Sequence, residues 1–476
     1  MIGRKSEVAE LERIYQSGKP EFVVIYGRRR VGKTFLVTQT FGERISFHHT
    51  GVYSGDQAED AGRKRTQLES FYYSLLNHGM EGISRPKTWM EAFFQLEQLL
   101  ARLDNGSRQV VFLDELPWMD TAKSGFLPAF ENFWNGWCQY RNNMMLIVCG
   151  SATSWILSNI SQSKGGLYGR TTQEIKLSPF TLKSCEEYFA HEQIELSRYD
   201  IVQSYMVFGG IPYYLAYFRP GKSLEANVDD LLFGSRPKLK DELNRLFGAI
   251  FGNPEDCKKI IRLLATRHSG FSREEIAKKT GISLGGGLSC TLSALEESDF
   301  IAKYTLYGES AKRIKYRLID NFCLFWVKYV EPSKESSFMV DYAASEILDS
   351  WRGVAFEEVC RQHIPEIKRA LGIDGVRSSV SAWNVKGGEE KEGLQIDMII
   401  RRADHVVNLC EMKFSSDSYA IDKEEDARLR KRREELARTL SKKEVVHLTF
   451  VTTFGVAYGK YSGIVQKQIT MDDLFV

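Results

Sequence analysis

Residues 22–41 read FVVIYGRRRVGKTFLVTQTF: an apolar run, a basic loop bounded by glycines, then the apolar spacing of a helix. Gly27, Gly32, Lys33 and Thr34 fall in that order at the G-x-x-x-x-G-K-[ST] spacing of a phosphate-binding P-loop. Glycines let backbone N–H groups close on phosphate oxygens, and the helix that follows turns its positive end on the same anion. Lys33 is expected to reach the β and γ phosphates of ATP, and the Thr34 hydroxyl to ligate Mg2+. The candidate nucleotide contacts are Gly27, Arg30, Val31, Gly32, Lys33, Thr34 and Phe35. A chance glycine-rich turn is the bland alternative, and the flanking strand and helix speak against it. The side chains of Arg28, Arg29 and Arg30 are of a kind that loops usually leave in solvent.

Hydrolysis needs a second strand that ends in carboxylates. RQVVFLDELPWMD (108–120) supplies one, with Val110–Leu113 as the strand and Asp114 and Glu115 at its carboxyl end, the edge where open α/β sheets bind ligands. Asp114 is expected to hold Mg2+ and Glu115 to polarise the attacking water; a plain helix N-cap is the structural alternative. A third strand, in NMMLIVCGSATSW (143–155), ends in Gly150, Ser151 and Thr153; a hydroxyl there, with Ser151 the candidate, is placed to sense the γ-phosphate or to position the water if this strand lies between the other two. In GGLYGRTTQEIKLSPF (165–180), Arg170 sits on a glycine-flanked loop before another strand. It is a candidate for stabilising transition-state charge, in its own subunit or a neighbour's, or simply for capping a helix.

The whole chain bounds these readings. At 476 residues it exceeds one core and points to about three domains. With 43% hydrophobic and 26% charged residues it can bury cores and keep a wet surface. A formal net charge of +2 gives no global pull toward nucleic acid, so any such affinity must be local. The eight cysteines form no C-x-x-C pair, which argues against a zinc ribbon and a disulfide framework. No apolar run approaches a membrane span and the N-terminus lacks a signal-like core, so a cytoplasmic location without membrane contact is expected.

The pieces IGRKSEVAEL (2–11), GRRRVGKT (27–34), FLDELPW (112–118), CGSATSW (149–155), LYGRTTQEIKLSPF (167–180) and GGIPYYL (209–215) occur in one order. Together they resemble the archaeal and bacterial AAA+/STAND-like ATPase family over residues 1 to about 240. The resemblance implies that Ile2, Gly3 and Arg4 lie near the adenine, and that Gly209, Gly210 and Pro212 begin a helical lid over the nucleotide. Read from the residues alone, GGIP says only that a loop yields to a helix whose first turn accepts Pro212.

From Cys257 to Arg317 the pattern turns to short helices meeting at Gly281, followed by another helix and a hairpin, as in a winged helix-turn-helix. Twelve Lys/Arg against six Asp/Glu leave it a basic face for DNA, although such domains also act as spacers or docking modules. Three glycines, 285–287, are expected to precede the recognition helix. YVEPSKESSFMVD (329–341) reads as a linker.

Beyond it come a helix with Phe356-Glu357-Glu358 in its middle, three strands, a charged helix and a last strand. That order, with FEE, QID and CEMK, resembles the PD-(D/E)xK nuclease fold over roughly residues 345–460. Phosphodiester cleavage needs convergent carboxylates around a hard divalent cation. Glu357, Asp397 and Glu411 are the candidate ligands of Mg2+ or Mn2+, with Lys413 beside them to orient water. The alternative is an ordinary sheet face carrying cross-strand ion pairs. In the helical run DKEEDARLRKRREELARTLSKK (422–443), Arg430, Lys431, Arg432 and Arg433 read by default as a solvated face, or else as a contact for a phosphate backbone.

The expected fold is thus multidomain α/β. Residues 1–178 form a P-loop core with a parallel sheet, 179–250 a helical lid and 251–328 a winged helix. Residues 329–343 link these to a restriction-endonuclease-like domain, 344–476. The expected function is an ATPase whose nucleotide state controls a nuclease-like domain acting on DNA or RNA, with homo-oligomers compatible. The rivals are a switch with a catalytically inactive C-terminal scaffold and a DNA-binding regulator.

Overall fold

The structure is a computed structural model that describes the chain except residues 54–59, 163–164, 309–313, 344 and 386–393; the side chains of 60, 61, 384, 385, 394, 395 and 397 are likewise outside the description. The chain divides into two compact units. One comprises Met1–Pro179, Leu246–Pro254 and Ser293–Asp299, the other Phe180–Arg245, Glu255–Leu292 and Phe300–Val476.

The first unit is built on five strands: β1 (Glu21–Tyr26), β2 (Ile45–Thr50), β3 (Gln109–Asp114), β4 (Met144–Gly150) and β5 (Gln173–Lys176). They are all parallel, in the order β2-β3-β4-β1-β5. Parallel strands covered on both faces must be apolar throughout, which is why β3 and β4 are buried at every position. Phe22, Val24, Val111 and Leu146 pack with an aromatic layer of Trp89, Phe93, Phe126, Phe130 and Phe133 from flanking helices. β4 lies between β1 and β3, so three carboxyl ends meet at one edge, with Ile25 level with Cys149 and Leu113 level with Val148. Close approach at this edge requires two of the glycines. A Cβ on Gly27, at φ +134°, would run into the Leu177 carbonyl oxygen, and one on Gly150 would lie 2.6 Å from the Pro117 ring.

The second unit opens with helices. Arg198–Phe208 is entered through a Ser197/Asp200 capping box, left through Gly209 at φ +64°, and buried from Ile201 to Phe208. Farther on, helix Arg273–Thr280 ends at Gly281, at φ +75°, and helix Gly286–Glu297, whose residues from Ser293 onward count with the first unit, takes in the last two glycines expected to precede it. The strands β6 (Phe271–Ser272), β7 (Ile301–Tyr304) and β8 (Lys315–Leu318) form an antiparallel sheet ordered β6-β8-β7.

The stretch expected as a linker is structured. It carries helix Phe338–Tyr342, in whose first turn the N–H groups of Met339 and Val340 donate to the Asp229 carboxylate at 2.7 and 2.9 Å. Phe338 is buried and stacks on Phe233 at 4.9 Å. The following helix, read from the sequence as continuous, breaks into Glu346–Gln362 and Ile364–Ala370 around His363. Beyond it lie β9 (Ser378–Val385), β10 (Leu394–Arg402), β11 (Val406–Lys413), helix Lys423–Thr439, β12 (Val445–Thr452) and a further strand that the sequence reading missed, β13 (Lys467–Thr470). The sheet order is β13-β12-β11-β10-β9, antiparallel from β9 to β11 and parallel from β11 to β13. β11 is therefore central, and its residues from Val407 to Met412 are buried on both faces.

Candidate functional site

At the carboxyl edge of β1, β4 and β3, the P-loop turns through Arg30 at φ +77° and Gly32 at φ +93° into helix Lys33–Phe41. The Lys33 ammonium is buried and donates to the carbonyl oxygens of Gly27 (2.9 Å) and Arg28 (3.0 Å). Burial pulls its pKa down, against the opposing pull of Glu115, Cys149 and Asp114. Thr34 Oγ1 donates to Asp114 Oδ2 at 2.7 Å. The other oxygen, Oδ1, accepts the Glu115 N–H at 2.9 Å and the Cys149 thiol at 2.5 Å. Glu115 itself stands at φ +47°, a strained position for a residue with a side chain, and its carboxylate accepts the Ser151 hydroxyl at 2.8 Å and the Ser151 N–H at 3.1 Å. Two hard oxygens, from Thr34 and Asp114, thus meet beside the buried ammonium, a donor set that suits Mg2+ with most of its water retained.

The structure brings Lys33, Thr34, Asp114, Glu115 and Ser151 into one cluster. Arg4, expected near the adenine, straps the N-terminal segment to the loop: its guanidinium is buried and donates to the carbonyls of Val31 (3.0 Å) and Ser178 (2.7 Å). Ile2 and Gly3 precede it in a half-buried turn, and Val31 is buried. Phe35 is exposed on the first turn of the helix, and Arg170 is exposed on the turn before β5. Gly210 and Pro212 belong to the second unit, where Gly210 O accepts the Phe180 N–H at 2.8 Å and Pro212 opens helix Pro212–Leu215.

The expectation of three solvated arginines fails at Arg28, which is 3% exposed. Two participants escaped the sequence reading. From the residues alone, Cys149 reads only as the end of an apolar strand and Trp118 has no role; in the structure the Cys149 thiol donates to Asp114 and the Arg29 guanidinium lies 5.1 Å from the Trp118 ring centroid.

The C-terminal candidates are differently engaged. Glu411 is buried and pairs with Arg432 at 2.6 Å, while Lys413 pairs with Glu425 at 3.2 Å. Both partners come from helix Lys423–Thr439, which therefore covers the face of β11 that carries Glu411 and Lys413. Arg432 thus faces the sheet, and Arg430 pairs with Asp426 at 2.9 Å. Glu357 pairs with Arg361 at 3.0 Å. Neighbouring Glu358 is buried between Arg317 and Arg361. The backbone of Asp397 lies in β10 where the register with β9 shifts between Ile396 and Ile399, but its side chain is outside the described residues. Among the described residues, no group of three or more His, Cys, Asp or Glu side chains is arranged to hold a metal.

Strand order, P-loop and paired carboxylates together define a P-loop ATPase core. Residues 1–218 match the sequence family described as an ATPase domain predominantly from Archaea; this part of the chain is an ATP-binding ATPase domain. Over 395 residues the chain is 25% identical to the Methanocaldococcus jannaschii protein MJECL04, covering 82% of each. Among solved structures, it is similar to the Walker-type ATPase PABY2304 of Pyrococcus abyssi, at 19% identity and a TM-score of 0.46, with 69% of this chain and 96% of that one covered. It is also similar to the Aeropyrum pernix ORC2 protein, solved as ADPNP–ADP complexes, at 14% identity and a TM-score of 0.38 over 68% of this chain and 92% of that one. Among the described residues, no helix is long and apolar enough to cross a membrane.

Proposed function

We propose that the chain is an ATP-hydrolysing switch whose nucleotide state governs its C-terminal domain. The observation that carries the hydrolytic part is the Thr34 hydroxyl set on the Asp114 carboxylate beside the buried Lys33 ammonium. With MgATP bound, Mg2+ supplies charge neutralisation at the β and γ phosphates, held by Thr34 and Asp114. Lys33 exchanges its two carbonyl partners for phosphate oxygens. Glu115 orients and polarises the attacking water, and the Ser151 hydroxyl and N–H fix which way that carboxylate points. Arg170, exposed on its loop, contributes transition-state charge in its own subunit or in a neighbouring copy. The test is Glu115→Gln in the full chain: ATP binding is retained while turnover falls roughly 100-fold or more, the range of a lost general base. Unchanged turnover would remove Glu115 from this role.

The finer reading gives the C-terminal domain a Mg2+- or Mn2+-dependent cut on DNA or RNA through Glu357, Asp397, Glu411 and Lys413, with nucleic acid also held by the basic segment 251–328. The helix carrying Glu357, the three strands, helix and strand that come after it, and the placement of Glu411 and Lys413 two apart on one face of β11 support it. Metal-dependent nicking of duplex or single-stranded substrate that vanishes in Asp397→Ala is the expected result; nicking that persists in that variant discards these ligands. A second reading, in which the domain is a scaffold, is favoured by one observation: the 2.6 Å pair between Arg432 and Glu411 already neutralises a proposed metal ligand.

A further inference from the structure

Arg29 occupies the second variable position of the P-loop, Gly27-Arg28-Arg29-Arg30-Val31-Gly32. Lys33 spends its hydrogen bonds on the Gly27 and Arg28 carbonyls, and Arg28 is packed away from solvent. Arg29 reaches an aromatic ring. Its guanidinium lies over the Trp118 ring, 5.1 Å from the centroid, and its Nη1 is buried with no hydrogen-bond partner among the described residues.

Trp118 is in turn a fixed platform. It belongs to the short helix Leu116–Met119 that follows Asp114 and Glu115, its Cβ lies 3.1 Å from where a Cβ on Gly51 would stand, and the Tyr53 ring packs on it with centroids 5.6 Å apart. The stack therefore holds a planar cation between the loop that follows β1 and the turn that follows β3. Lys33 feels this charge: Arg29 is among the groups that lower the lysine's pKa.

An ionised donor buried without an acceptor calls for an anion with oxygen acceptors. In this loop the anion is a phosphate. The position of Trp118 decides which phosphate, because it stands on the short helix that follows Asp114 and Glu115, the residues proposed to hold the metal and polarise the water at the terminal phosphoryl group.

We propose that Arg29, held on Trp118, binds the γ-phosphate and so distinguishes ATP from ADP at this site. The inference rests on the ATP reading of the P-loop and adds a residue to it. Binding of the triphosphate gives the buried Nη1 its acceptor and adds a positive charge to those of Lys33 and Mg2+ where negative charge gathers during transfer. Loss of the γ-phosphate returns the guanidinium to the indole alone. A lysine does not replace it, since an ammonium neither stacks as a plane nor presents a fork of donors.

The measurement is the affinity of the full chain for β,γ-imido ATP and for ADP, each with Mg2+, in wild type, Arg29→Ala, Arg29→Gln and Arg29→Lys. The expected result is about a tenfold or greater rise in Kd for the imido analogue in the Ala and Gln variants. The Kd for ADP stays within about threefold, which also reports that the site is folded, and Lys recovers only part of the loss. Equal weakening toward both nucleotides, or none toward the analogue, overturns the assignment. Wild type that binds neither nucleotide sinks the ATP reading itself, a result distinct from failure of the arginine's role.

Discussion

The Asp114 carboxylate accepts from Thr34, the Glu115 N–H and Cys149, and the bond from Cys149 is unusual because a thiol is a weak donor held here at 2.5 Å. Burial and then the carboxylate itself hold the thiol well above its usual pKa range, so it stays protonated and keeps donating. With Oδ1 tied in this way, Oδ2 is left to Thr34 and to the cation that both can ligate. Outer hydrogen bonds of this kind commonly change metal affinity about tenfold or more. Cys149→Val is therefore expected to raise the Mg2+ concentration needed for half-maximal ATP binding about tenfold, and Cys149→Ser, which keeps a donor, to restore most of it. Equal Mg2+ requirements in the Val and Ser variants would show that the thiol only fills space. At this scale the sequence was legible where the chemistry is local: Gly27, Gly32, Lys33 and Thr34 lie within one turn of chain. It was illegible where a partner comes from another strand. Nothing in MMLIVCG marks one residue as the neighbour of Asp114 until β4 is inserted between β1 and β3.

Elements were legible in proportion to their burial. β1, β3 and β4 are central parallel strands, and two covered faces leave an unbroken apolar run that any reading finds. β13 lies at the edge of the sheet and, like KQIT itself, shows no regular alternation of exposed and buried residues, so it carries no such signal. Helix Phe338–Tyr342 was missed for another reason: the carboxylate that caps it, Asp229, lies 110 residues away, and the Pro and Ser around it look like a linker when that cap is unseen. β11 combines both lessons. Its alternation of charge suggested a wet face, whereas helix Lys423–Thr439 covers that face and brings Arg432 onto Glu411. Breaking such a pair from one side weakens the compensation of a buried charge, at a cost of up to about 3 kcal/mol. Arg432→Ala is expected to speed hydrogen exchange of the β11 amides about 100-fold, and a double variant with Glu411→Leu to recover most of the protection. Protection unchanged in the single variant would mean that Glu411 has another source of neutralisation.

Whether the molecule works as a switch is a thermodynamic question that its two compact units pose directly. A ligand in the first unit alters the second only by as much as its affinity differs between two states of the whole chain. Linkage makes that difference reciprocal: if β,γ-imido ATP changes the affinity for nucleic acid by some factor, nucleic acid changes the affinity for the nucleotide by the same factor. The net charge of +2 helps here, because non-specific attraction of the whole chain to a duplex is weak at moderate salt and does not mask a modest coupling. The expected outcome is a coupling of at least about fivefold, the lower end of typical allosteric effects. It is read twice, as duplex affinity in the imido-ATP and ADP states and as imido-ATP affinity with and without duplex. Agreement of the two ratios establishes the switch, and the Arg29→Ala chain, blind to the γ-phosphate, should then lose the coupling while still binding ADP. A ratio of one in both directions leaves an ATPase whose second unit answers to something other than the nucleotide.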